Sequence, residues 1–169
     1  MQPPHLDTHN REVAKESAGL LLFRRRDGTL EVLLVHPGGP FWKRRDEGAW
    51  SVPKGEIEPG ETPIEVARRE FKEELGQPPP DASFTPLGSV RQAGGKVVHV
   101  WAAPGDLDVE RVESGTFSME WPPRSGRQQE FPEVDKARWF DLQTARRMIL
   151  AAQSTFLDRL DAGLPREGR

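Results

Sequence analysis

Thirty-two of the 169 residues are glycine or proline, 16 of each. Glycine frees the backbone and proline removes a hydrogen-bond donor, so a chain punctuated this often cannot build the long helices of a bundle. It suits a mixed α/β or α+β fold with elaborate loops. The length corresponds to one ordinary domain with a core of its own. Hydrophobic residues at 35% and charged residues at 30% lie within the range of globular proteins. The formal net charge of −3 leaves no basic surplus. That argues against a protein holding nucleic acid through phosphate electrostatics, and no stable nucleic-acid partner is expected. There is no cysteine, which removes disulfides, thiolate metal sites and thiol nucleophiles together and fits a reducing, cytoplasmic compartment. No run approaches the roughly 18 to 20 apolar residues of a membrane span, and the polar start lacks a signal-peptide core, so a soluble, unexported protein is expected.

Residues 1–16 are polar, with His5 and His9 isolated, and read as a mobile arm rather than a metal site. A single domain is expected over 17–162, with 163–169 as a tail. The run SAGLLLFRRR from Ser17, the turn Asp27-Gly28 and the run EVLLVHP read as a β-hairpin. Gly38 to Gly48 is a loop with two aromatics and three basic residues, and Trp50-Ser51-Val52 is extended. Residues 62–75 have helical spacing and stop at Gly76, where a C-cap glycine belongs. Strands are expected at 84–92 and 96–103, joined at Gly94-Gly95. The stretch 104–132 reads as a surface excursion with one short strand near 117–121. A strand at 137–140 precedes Asp141, a helix N-cap, and helical residues in one or two pieces follow to Gly163.

The chemistry concentrates between residues 55 and 76. At about 100° per residue, Ile64, Ala67, Phe71 and Leu75 share an apolar stripe, while Glu70, Glu73 and Glu74 fall in an arc of about 100° beside it. Taken alone, three such glutamates can be a solvated helix face. Converging carboxylates repel unless a cation lies between them, and oxygen-only ligands suit Mg²⁺ or Mn²⁺.

The string around them resembles the signature of the Nudix hydrolases: glycine, five residues, glutamate, seven residues, then Arg-Glu-apolar-any-Glu-Glu-any-Gly-apolar. Gly55, Glu61, Arg69, Glu70, Phe71, Glu73, Glu74 and Gly76 match; Gln77 departs, standing where the pattern has an apolar residue. The resemblance implies a Nudix-type α/β/α sandwich, with a mixed sheet between helices. It also implies metal-assisted attack of water on a phosphoanhydride bond of a nucleoside-diphosphate-linked compound. In that family Arg69 is expected to orient the acidic loop by pairing with Glu61. Glu70, Glu73 and Glu74 would hold Mg²⁺ (or Mn²⁺), with a carbonyl of the Lys54-Gly55 turn as a further ligand. The metals would let an acidic protein bind an anionic small-molecule nucleotide.

A further acidic group outside this box is expected as metal ligand or general base, with Glu120, Glu130 and Glu133 as candidates. Glu133 is favoured because its spacing to Trp139 resembles that in members acting on dinucleoside polyphosphates and on capped or triphosphorylated RNA ends. Pro53-Lys54-Gly55 resembles the start of the box in diadenosine polyphosphate hydrolases, where Lys54 would meet a phosphate. Phe41 and Trp42, interleaved with Lys43, Arg44 and Arg45, either stack a base and bind phosphates or pack on the sheet. Lys96, with Arg91 and His99, is a candidate phosphate contact; Trp50, Trp101 and Trp139 read as core. The leading function is hydrolysis of dinucleoside polyphosphates such as diadenosine tetraphosphate. A house-cleaning nucleoside triphosphate pyrophosphatase, a sugar-nucleotide hydrolase and a non-cleaving nucleotide sensor are the alternatives, and the 117–131 excursion alone favours a protein-interaction module.

Overall fold

The computed structural model of the chain describes residues 15–164. The two histidines of the N-terminal arm, and all of the C-terminal tail beyond Leu164, lie outside the described residues. Strands β1 (Glu16–Arg26) and β2 (Thr29–Pro37) pair antiparallel around Asp27-Gly28, both with positive φ. They form the centre of a six-stranded mixed sheet. The remaining strands are β3 (Lys54–Glu56), β4 (Thr85–Arg91), β5 (Val97–Pro104) and β8 (Val134–Asp141). The order is β4-β5-β1-β2-β8, with β3 paired to β1 and with β1 and β5 parallel.

Both faces of this sheet are covered, which explains why β1 and β2 read as continuous apolar runs rather than alternating ones. Leu20, Leu22, Leu33 and Val35 point to helix α1 (Pro63–Leu75), where Phe71 and Leu75 are fully buried. Each of those two side chains contributes about 1.5–3 kcal/mol through burial. Leu21, Val32 and Leu34 point the other way, to α2 (Leu142–Met148) and α3 (Ser154–Gly163), meeting Trp50, Phe156, Leu157 and Leu160. Helix, sheet and helices thus make the expected three layers.

Two local expectations change, and the choice between one and two C-terminal helical pieces is decided. Ile64 is only partly buried, and Val66 takes its place in the core. The C-terminal helical run breaks at Ile149-Leu150, because the Trp50 amide donates to the Met148 carbonyl (2.9 Å) and the Leu150 amide to the Trp50 carbonyl (2.8 Å), replacing helical bonds. The excursion after β5 contains two strands, not one: β6 (Thr116–Glu120) and β7 (Gln128–Pro132) form a separate hairpin. Among the described residues no helix is long and apolar enough to cross a membrane.

Candidate active site

The box strand and α1 are brought together by β1. Ala18 pairs with Gly55 and Gly19 with Lys54, while the Leu20 amide donates to the Pro53 carbonyl at 3.2 Å. This sets Gly55 against Glu70 in the middle of α1. A Cβ at Gly55 would overlap the Glu70 carboxyl, so only glycine leaves that space to the carboxylate. The loop between them turns through Gly60 (φ 86°), where the Glu61 carboxylate accepts the Glu58 amide at 3.0 Å and the Arg69 guanidinium at 2.9 Å. The pair expected between Arg69 and Glu61 is therefore present. Arg69 also reaches Glu70 at 3.1 Å and Glu73 at 3.5 Å, so one cation holds three carboxylates, and its Nε is buried without a hydrogen-bond partner.

Burial, with repulsion from Glu73 and Glu133, pushes the Glu70 carboxyl up to about 7 against the pull of Arg69. Burial likewise raises Glu74 to about 8; Lys54 opposes this with its charge and with a 3.3 Å amide bond to the carboxylate, while Glu70 and Glu133 reinforce it. The Lys54 ammonium is shifted down by burial, offset by Glu74, with nearby Lys96 adding to the fall. Lys54 thus stands beside Glu74, with the Lys96 charge acting on it in turn.

Glu133 arrives by a relay of backbone bonds. Helix α1 ends at Gly76 in the left-handed region, and its carbonyls are met from a distant segment: the Glu113 amide donates to Leu75 (3.2 Å) and the Gly115 amide to Glu73 (3.0 Å). The Gly115 carbonyl then accepts the Glu133 amide at 2.9 Å, and the Glu133 carbonyl accepts the Gly38 amide at 3.0 Å. Its charge bears on both Glu70 and Glu74. Glu120 and Glu130 lie exposed on the hairpin, accepting from the Gly126 amide (3.4 Å) and the Thr116 hydroxyl (3.4 Å).

The loop candidates separate. Phe41 is 63% exposed and meets Trp121 edge-to-face, with centroids 5.6 Å apart. Trp42 instead packs on the core, with Arg45 over its ring at 5.5 Å. Lys43 and Arg44 are exposed in the loop, as is Arg91 on β4, and His99 on β5 meets Glu16 at 3.2 Å. Trp50 is core, as expected; Trp101 and Trp139, expected as core, are partly buried against the α1 side of the sheet. Gln77, the departure from the pattern, donates to the Asp108 carbonyl at 3.0 Å, so a polar residue there has a partner. Sequence reasoning missed Trp121 and the 113–115 segment. The alternating TFSME and QQEFP flanking a Pro-Pro and Gly-containing turn were the signal for the hairpin.

Among the described residues no three acidic or histidine side chains are gathered tightly enough to hold an ion, because Arg69 and the Lys54 amide each draw carboxylates aside. The donor set nonetheless fits a hard divalent cation. It is all carboxylate oxygen, two members are raised by crowding and burial, and the cradle at Gly55 is free of a side chain.

The profile of the NUDIX domain matches residues 14–160. The chain belongs to the NUDIX family. It is 43% identical over 56 residues to an RNA pyrophosphohydrolase of Halorhodospira halophila, covering 32% of this chain and 30% of that protein. It is 37% identical over 70 residues to the asymmetrical bis(5'-nucleosyl)-tetraphosphatase of Sus scrofa, covering 38% and 44%. These matches span less than half of either relative. Across the whole fold it resembles a C. elegans Ap4A hydrolase binary complex, with a TM-score of 0.64 and 24% identity over 88% of this chain and 96% of that one.

Proposed function

We propose that this NUDIX chain is a Mg²⁺-dependent pyrophosphohydrolase that cleaves dinucleoside polyphosphates such as diadenosine tetraphosphate. The observation carrying the reading is that the carboxylates of Glu73 and Glu133 bear on Glu70, those of Glu70 and Glu133 bear on Glu74, and Lys54 stands beside Glu74 with Lys96 acting on it. The names borne by the Sus scrofa and C. elegans proteins support the choice of substrate.

Glu70, Glu73 and Glu74, with the Gly55 carbonyl and Glu133, would hold the divalent ion. Bound there, it supplies phosphate charge neutralisation and a more acidic attacking water. The chain's own residues do the rest. Arg69 pins Glu61 and pairs with Glu70 and Glu73, holding both carboxylates on one side of α1 until a cation takes its place between them. Lys54 and Lys96 bind the far phosphates as point charges and fix the in-line direction of attack. Glu133, in the bend between β7 and β8, accepts the proton of the attacking water.

The test is cleavage of diadenosine tetraphosphate in isotopically labelled water with Mg²⁺. The expected products are one nucleoside triphosphate and one monophosphate, with label in only one of them, and no turnover in excess chelator. Release of pyrophosphate from nucleoside triphosphates, with the dinucleotide untouched, would show a house-cleaning pyrophosphatase instead. Binding without any product would show a nucleotide sensor.

A further inference from the structure

The molecule has a cavity of about 660 Å³ between the Gly39–Arg45 loop and the β6–β7 hairpin, lined also by Asp135 at the start of β8. That is a volume suited to a nucleoside-sized group. Phe41 and Trp121 form its aromatic wall, and Phe131 also lines it. Lys43, Arg44 and Arg45 stand on its rim.

The two sides are pinned together. The ring of His36 on β2 is 1% exposed and lies between the Arg45 carbonyl (2.6 Å from Nε2) and the Asp135 carboxylate (2.8 Å from Nδ1). The loop is also pressed onto the hairpin at its start. A Cβ on Gly38 would overlap the Pro132 carbonyl, and one on Gly39 would come within 2.9 Å of the Phe117 ring. The Gly38 amide also donates to the Glu133 carbonyl, so the loop that walls the preformed cleft is bonded to the residue that brings its charge to Glu70 and Glu74.

Resting on the dinucleoside reading above, we propose that this cleft is the subsite for the distal nucleobase, stacked on the Phe41–Trp121 wall while Lys43, Arg44 and Arg45 take the phosphates leading to it. Charge selects this occupant. Three cations crowd the rim of a protein whose net charge is −3, and Asp135 already faces His36. A nucleotide presents a π-face to the wall and anions to these exposed rim cations, a match that a purely apolar occupant lacks. Trp121 and its hairpin are therefore determinants of specificity, setting apart substrates with a base at both ends of the polyphosphate.

The experiment titrates the protein with Mg²⁺ and either of two non-hydrolysable methylene-bridged ligands: a diadenosine tetraphosphate, or the matching tetraphosphate lacking the second adenosine. The wild type should prefer the first by about tenfold or more, the scale of one base stack. Trp121→Ala and Phe41→Ala should each bring that ratio to within about twofold, and Trp121→Phe should restore most of it. Phe41, being largely exposed, gives a variant that does not depend on the hairpin folding around Trp121. A wild type with no preference, or alanine variants that keep it, overturns the subsite. Because binding is read without turnover, the two readings can fail separately. A preserved ratio pattern in a protein that cleaves nothing refutes the hydrolytic reading and keeps the subsite. Cleavage of diadenosine tetraphosphate with a flat ratio does the reverse.

Discussion

In the absence of metal, ionising Glu74 works against the fold, and Glu74→Gln should relieve it. The carboxyl ordinarily titrates at 4.5, and burial together with Glu70 and Glu133 takes it to about 8 against the opposing Lys54. A raised acid binds more protons folded than unfolded, so stability falls as pH rises from about 4.5 to about 8 and levels off above. At about 1.4 kcal/mol per pH unit, the full cost is on the order of 5 kcal/mol as an upper bound, with relaxation of the site reducing it to about half. Glutamine keeps the shape of the protonated acid and carries no charge, so its melting temperature in chelator should change far less between pH 5 and pH 9. Titrating Mg²⁺ should reverse the ranking at pH 8: the wild type gains stability through linkage, and the variant gains less. Thermal melts of both proteins at three pH values, with chelator and with Mg²⁺, read all of this. Parallel pH dependence of wild type and Glu74→Gln in chelator would refute the reasoning, since it would mean that Glu74 ionises freely in water.

Turnover offers a second measure of the same carboxylates: Glu73→Gln should retain its circular dichroism spectrum while losing at least about 10²-fold in kcat. Glu133→Gln should lower kcat more than it raises KM, whereas Glu130→Gln and Glu120→Gln, on the exposed hairpin, should stay close to wild type; equal losses in all three would remove Glu133 from the reaction. Gly55→Ala drives a methyl into the Glu70 carboxyl and should cut kcat by about 10²-fold, with Mg²⁺ affinity weakened in parallel by calorimetry. His36→Ala leaves the Arg45 carbonyl and Asp135 without their partner beside a new void, for a loss of about 2–4 kcal/mol in denaturant unfolding; a change under about 1 kcal/mol would mean that the loop holds without it.

Local chemistry made much of this protein legible in one dimension. Asp27-Gly28 dictates a tight hairpin, Gly76 a left-handed helix stop, and Asp141 a cap whose carboxylate accepts the Thr144 amide at 2.8 Å. The spacing from Gly55 to Gly76 puts Arg69 within reach of Glu61, Glu70 and Glu73, because helix geometry and a short loop leave few alternatives. What the chain order could not reveal is where distant segments meet. The parallel pairing of β1 with β5 and the break at Ile149-Leu150 depend on partners far away in sequence. Glu133 reaches the box only because the α1 carbonyls need donors and residues 113–115 supply them. In the same way the aromatic partner of Phe41 is Trp121, some eighty positions on, while the adjacent Trp42 turns into the core. Neighbours along the chain decide turns, caps and periodicity. Burial and backbone hydrogen-bond satisfaction decide which remote side chains share a site, and those are properties of the packed whole.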